Sequence, residues 1–198
     1  MPSQSSSDHR IAILASGTGS TFVHLVNAGR AGVFPGEITL LITTRPDAPV
    51  AQRARELDVK HVLLDAKALG PDACDEQMCT LLTEHDISLV VLAGYLRKIG
   101  PRTMHAFAGR IINTHPAPLP EFGGQSMHGG HVHHAVLAAG IPRSAATVHL
   151  VDEHYDTGPV IAADPVRVYP SDTVATLRER VQAAERELLT RTITALLN

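Results

Sequence analysis

The chain has 198 residues, 44% of them hydrophobic and 19% charged, with a formal net charge of −3. That size and balance fit one globular domain with a full core. The acidic sign and the lack of basic runs argue against a nucleic-acid surface, and no apolar run reaches the length of a membrane span.

Residues 1–9 (MPSQSSSDH) are polar and Ser-rich with no apolar stretch, so they read as a disordered leader rather than a secretion signal. Residues 10–198 then form a single domain, with the cytoplasm as its compartment. Cys74 and Cys79 have no metal-type partners nearby and read as small helix residues of a reduced protein. Among the 12 histidines, His128, His131, His133 and His134 cluster, but they lack the i, i+4 pair of a zinc-binding helix, and no metal is expected.

In chain order, residues 10–15 (RIAILA) form a buried-type strand that runs into Ser16-Gly17-Thr18-Gly19-Ser20-Thr21 and a helix over about 22–28. Strand, glycine turn and helix make a phosphate cradle, with backbone N–H groups and a helix N-terminus facing an anion. A strand over 37–43, a helix over 48–57, a short strand over 60–64 and a helix over 72–85 follow. Residues 88–93 (SLVVLA) are apolar on both faces, as in the middle of a parallel sheet. They end at Gly94-Tyr95-Leu96-Arg97-Lys98. A short helical piece over 103–107 precedes a strand over 110–112. This alternation predicts a doubly wound sheet whose site lies at the carboxyl ends of its strands.

The strand over 110–112 leads into Asn113-Thr114-His115 and prolines at 116, 118 and 120. The prolines stiffen the exit, and Asn113 and His115, two apart on extended backbone, point to one side. An amide donor beside an imidazole can hold a developing oxyanion. After a Gly-rich loop over 121–130, the pattern predicts a helix over 132–139, a strand over 146–151, an acidic turn over 152–159 and a strand over 160–168. A long helix runs to about 197 with Asp172 as its cap; Gln182 and Glu185 share one face beside its apolar stripe. An Asn, a His and an Asp suggest acyl or formyl transfer, with Asp156 holding the imidazole or taking a proton from an amine. No G-x-S-x-G elbow is present, so the nucleophile comes from the substrate.

Five ordered motifs resemble the phosphoribosylglycinamide formyltransferase family over nearly the whole chain from 10 to about 189. They are the S-G-x-G-S loop at 16–20, V-V-L-A-G-Y-x-R at 90–97, N-x-H-P-x-x-L-P at 113–120, V-H-x-V-x-x-x-x-D-x-G-P-V-I at 148–161 and R-V-Q-x-x-E at 180–185. The resemblance implies a Rossmann-like formyltransferase fold, mostly parallel with an antiparallel C-terminal part. It implies transfer of the formyl group of 10-formyltetrahydrofolate to glycinamide ribonucleotide, a step of purine synthesis, by a monomer or homodimer. Asn113, a protonated His115 and Asp156 would be the catalytic trio, with Asp156 keeping His115 charged. Gly17, Thr18, Gly19, Ser20 and Thr21 would bind the 5′-phosphate, and Gln182 and Glu185 the ribose or glycinamide part. Leu96, Arg97, Lys98, Ile99, Asn113, Val151, Asp152 and Asp156 would line the folate pocket.

The chain departs from the family pattern in places. Thr21 stands where Asn is frequent. No Arg occurs between Arg55 and Arg97, so one anion contact of the family either falls to Lys67 or is missing. The loop over 123–134 is longer. Competing readings are a formyltetrahydrofolate deformylase, for whose extra N-terminal domain nine leader residues leave no room; a methionyl-tRNA formyltransferase, which carries a further C-terminal domain; and a non-catalytic folate- or nucleotide-binding module.

Overall fold

A computed structural model describes residues 9–198; the leader expected over residues 1–9 lies, but for His9, outside the described residues. The elements are β1 (Arg10–Leu14), α1 (Ser20–Arg30), β2 (Glu37–Thr43), α2 (Val50–Glu56), β3 (Lys60–Leu63), α3 (Ala66–Leu69), α4 (Pro71–Glu84), β4 (Ile87–Leu92), α5 (Pro101–Ala106), β5 (Ile111–His115), α6 (Gly130–Ala138), β6 (Arg143–Leu150), β7 (Val160–Arg167) and α7 (Val174–Leu197). The strands form one seven-stranded sheet in the order β3-β2-β1-β4-β5-β6-β7. Strands β1 to β5 are parallel, and β6 and β7 add on antiparallel.

Strand alternation divides the core between the two faces of the sheet. Ile11, Ile13, Leu41, Val91 and Ile112 pack with Phe22 and Leu25 of α1 and Leu189 and Ile193 of α7. Ala12, Leu14, Leu40, Ile42, Val90 and Ile111 pack with Met78 and Leu82 of α4 and with Phe107 after α5. Helices on both faces explain why the central parallel strands β1 and β4 are buried along nearly their whole length.

The structure refines the predicted boundaries. The strand expected over 110–112 extends to His115, because Asn113 pairs with His149 and His115 with Thr147 across the antiparallel β5–β6 ladder. The four-residue α3 was not anticipated; Asp65 caps it by accepting from the N–H groups of Lys67 and Ala68. The cap of α7 is Thr173, in a reciprocal capping box with Thr176, rather than Asp172. Asp172 instead binds Arg180 at 2.8 and 2.9 Å and accepts from the N–H of Tyr169. The Arg180 hydrogen bonds hold its carboxyl well below the usual range.

Close approach requires glycine at several positions, Gly158 and Gly19 among them. At Gly158, where the 152–159 turn enters β7, a Cβ would lie 1.9 Å from the Leu150 carbonyl oxygen. At Gly19 the backbone is left-handed (φ +81°), and a Cβ would lie 2.5 Å from Val50 Cγ2. Replacing Gly158 with Ala must pry the β6–β7 junction apart. We expect Gly158→Ala to destabilise the fold by on the order of 3 kcal/mol, read as a lower urea midpoint; an unchanged midpoint would refute this close approach.

Candidate active site

Strands β1, β4 and β5 all end on one edge of the sheet, and the loops leaving them converge. The Ser16 N–H donates to the Gly94 carbonyl at 3.2 Å, joining the first loop to the fourth. A cleft of about 590 Å³ opens there. Every predicted site residue lines it: Gly17, Thr18, Gly19, Ser20 and Thr21; Leu96, Arg97, Lys98 and Ile99; Asn113 and His115; Val151, Asp152 and Asp156; and Gln182 and Glu185 from α7. Lys67 does not line it. The cationic side chains on its walls are Arg45, Arg97, Lys98 and Arg178, so the expected Lys67 contact with an anion in the cleft is not met.

At one end, Gly19 precedes α1 without a side-chain cap, and the first turn of the helix carries no acidic residue. Its leading N–H groups are therefore not claimed by a neighbouring carboxylate, as an anion cradle requires. The left-handed Gly19 turns the chain into α1, residues 17–21 line the cleft, and Val50 N–H donates to the Gly17 carbonyl at 3.1 Å to brace the loop.

At the other end, Asp156 sits among three polar side chains. Its Oδ2 lies 3.4 Å from His115 Nδ1 and accepts from the Gly124 N–H at 3.0 Å. Its Oδ1 lies 3.4 Å from Asn113 Nδ2 and 3.5 Å from His149 Nε2. His115 and His149 are buried, and the Asp156 side chain is 12% exposed. Burial opposes ionisation of Asp156, but the adjoining His149, the His115 ring and the Gly124 N–H together outweigh it and hold the carboxyl below its ordinary value.

His115 Nε2 lies 2.8 Å from the Phe122 carbonyl oxygen, so Nε2 carries a proton and donates to it. Burial pulls His115 below its ordinary pKa, outweighing the opposing pull of Asp156 and of the Phe122 carbonyl. The Phe122 carbonyl holds the Nε2 proton and Nδ1 faces the Asp156 carboxylate, a pair able to take up and pass on a proton.

His149 was absent from the predicted site. Its Nδ1 donates to the Leu150 carbonyl at 2.8 Å, so in the neutral ring Nε2 accepts from Asn113 Nδ2 at 3.0 Å. It therefore fixes which way the Asn113 amide faces. The only sequence signal was its place in the V-H-x-V motif, where it read as one residue of an alternating strand. His133 of α6 also borders the cleft; burial, with Arg178 and His115 nearby, pushes it down to about 4. Among the described residues no group of three or more His, Cys, Asp or Glu stands close enough to hold a metal ion.

With this geometry in view, the formyl transferase family model matches residues 9–193. The chain belongs to the formyl transferase family. Relatives include a chloroplastic phosphoribosylglycinamide formyltransferase of Vigna unguiculata, 37% identical over 94% of this chain and 60% of the relative. A phosphoribosylglycinamide formyltransferase of Mycobacterium tuberculosis is 38% identical over 94% of this chain and 84% of its own length. The chain thus spans about three-fifths of the plant relative. Among solved structures, a phosphoribosylglycinamide formyltransferase from Bacillus halodurans superposes with a TM-score of 0.88 at 37% identity, covering 96% of this chain and 95% of that one. A formyltetrahydrofolate deformylase from Pseudomonas syringae matches at 25% identity and TM-score 0.83, with 62% of its length covered.

This formyl transferase cleft also holds a carboxyl at Glu185 that burial pushes up to about 7, against the opposing effects of the Thr114 hydroxyl, Arg186 and Arg178. A carboxyl with a raised folded pKa destabilises the fold as it ionises, so the penalty grows as pH rises from about 4.5 through 7. Glu185→Gln removes that penalty. We expect the Tm of the variant to exceed that of the parent more at pH 8 than at pH 5; an equal difference at both would show that Glu185 ionises freely.

Proposed function

We propose that this chain transfers the formyl group of 10-formyltetrahydrofolate to the amine of 5′-phosphoribosylglycinamide, the step of purine synthesis that the relatives' names describe. The observation that carries the reading is one cleft with an anion cradle at residues 17–21 and Asn113, His115 and Asp156 at its other end. The phosphate sits on the first turn of α1. Gln182 and Glu185 meet the ribose or glycinamide part, and Leu96–Ile99 with Val151 and Asp152 hold the folate.

The amine attacks the formyl carbon. A C–N bond forms and the carbonyl electrons move onto oxygen. Asn113 exchanges its long 3.4 Å contact with Asp156 for a bond to this oxyanion. The ammonium proton passes to the His115 Nδ1–Asp156 pair, directly or through water, and the resulting imidazolium is stabilised by both the carboxylate and the Phe122 carbonyl. Collapse breaks the bond to the folate nitrogen, which takes that proton back from the His115–Asp156 pair, and formylated product leaves. Every residue in this scheme comes from one copy of the chain, so it serves a monomer or a homodimer alike. The reaction belongs in the cytoplasm, whose reducing conditions suit the free Cys74 and Cys79. No described helix is long and apolar enough to cross a membrane.

The alternative, hydrolysis of formyl folate, needs only that water replace the amine. The test is a formyl-transfer assay with the ribonucleotide and a control with water alone. Transfer should exceed hydrolysis by several orders of magnitude, and Asp156→Asn should lower kcat by about a hundredfold or more. Formate release without amine at the same rate would assign the deformylase reaction, and full turnover in Asp156→Asn would remove that residue from the mechanism.

A further inference from the structure

The segment 118–124 folds as consecutive turns. The Phe122 N–H donates to the Pro118 carbonyl and the Gly123 N–H to the Pro120 carbonyl, both at 3.1 Å. Its last three residues present backbone groups of opposite polarity to the two members of the proton-accepting pair. The Phe122 carbonyl takes the Nε2–H of His115 at 2.8 Å, and the Gly124 N–H goes to Asp156 Oδ2 at 3.0 Å. One short stretch of main chain thus fixes the ring's tautomer and the carboxylate's rotation together. Gly123 lies between these two contacts. A Cβ there would stand 2.6 Å from Leu119 Cδ2 and 3.1 Å from Asp156 Cβ.

The two contacts differ in how they can relax. Leu119 Cδ2 is the free end of a flexible side chain and can swing away. Asp156 cannot retreat easily: its backbone is held at φ +57°, its carboxylate is engaged by Gly124, and Asn113, His115 and His149 crowd its other sides. A methyl group at 123 therefore displaces either Asp156 or the 122–124 backbone that orients it.

We propose that Gly123 is a positioning residue for the reaction: its missing side chain lets the Phe122–Gly124 backbone clamp His115 and Asp156 against each other in the geometry that accepts the proton. This rests on the catalytic reading of those two residues. Gly123 makes no contact with substrate in this account, and it acts through the two residues it lets the backbone reach. Gly123 itself is not in the left-handed region that favours glycine for conformational reasons, so the requirement is one of space.

The test is steady-state formyl transfer by Gly123→Ala, by Leu119→Ala and by the double variant. A misplacement of a fraction of an ångström at the reacting centre costs turnover rather than affinity. Gly123→Ala should lose at least about tenfold in kcat, with KM for each substrate within about threefold and an unchanged urea midpoint. Leu119→Ala alone should keep its kcat. The double variant, in which the leucine clash is gone, should retain the loss, and it also serves should the single variant fold poorly. Restoration of kcat in the double variant, full turnover in Gly123→Ala, or a loss carried by KM would each overturn the clamp. Asp156→Asn in the same assay separates the two levels. If it is inactive while Gly123→Ala is fully active, only the clamp falls. If it too is fully active, the role of Asp156 falls and the clamp with it.

Discussion

A single ionised carboxylate, enclosed by two imidazoles, an amide and a backbone N–H, is the constraint on which the rest of this structure turns. An isolated buried carboxylate is costly, and it persists here because its neighbours favour the charge. Those neighbours come from three stretches of chain: β5 supplies Asn113 and His115, β6 supplies His149, and the loop after β5 supplies the Gly124 N–H. Asp156 itself is presented by a turn that Thr157 ties to Asp152 at 2.7 and 2.9 Å, and that Gly158 lets pass hard against Leu150. The left-handed backbone at Asp156 is a local cost, on the order of 1 kcal/mol for a non-glycine residue, which the closed turn offsets.

The site lies where the sheet changes from parallel to antiparallel pairing. Parallel strands leave their carboxyl ends and following loops on one edge, and there the glycine turn after β1 and the loop after β4 meet. The antiparallel β6 returns beside β5 and so brings His149 opposite Asn113. Helix α7 crosses the same edge with Gln182 and Glu185 on its cleft-facing side. In the proposed reaction the arrangement separates labour: the start of α1 would supply binding remote from the reacting carbon, and the buried Asn–His–Asp cluster would supply groups that matter as charge develops. The Phe122–Gly124 backbone clamp belongs to the second part and would make loop geometry a determinant of turnover.

Much of this was legible in the residues, because strand alternation, glycine turns and the apolar stripe of α7 are local signals. Their convergence on one sheet edge follows from topology, and so did the cleft. What escaped has physical reasons. His149 sits in an alternating strand whose pattern marks burial, not which partner a buried imidazole finds. How strongly burial pulls on His115 depends on how much water is excluded, which no motif encodes. The groups that orient the pair, the Phe122 carbonyl and the Gly124 N–H, are main-chain atoms that any residue type carries. Asp172 resembled a helix cap, but Arg180, two turns along α7, drew it into an ion pair and left the cap to Thr173. Lys67 lay in the right stretch of sequence but on a short helix whose side chain does not reach the cleft.

The central claim is that a phosphate-gripping loop and a proton-accepting cluster act on one substrate in one cleft. It is tested most directly by comparing kcat/KM for the phosphorylated glycinamide ribonucleotide with that for the same molecule lacking its 5′-phosphate. If binding at residues 17–21 positions the amine, removal of the phosphate should lower kcat/KM by about a hundredfold or more. Equal values for the two substrates would contradict the account.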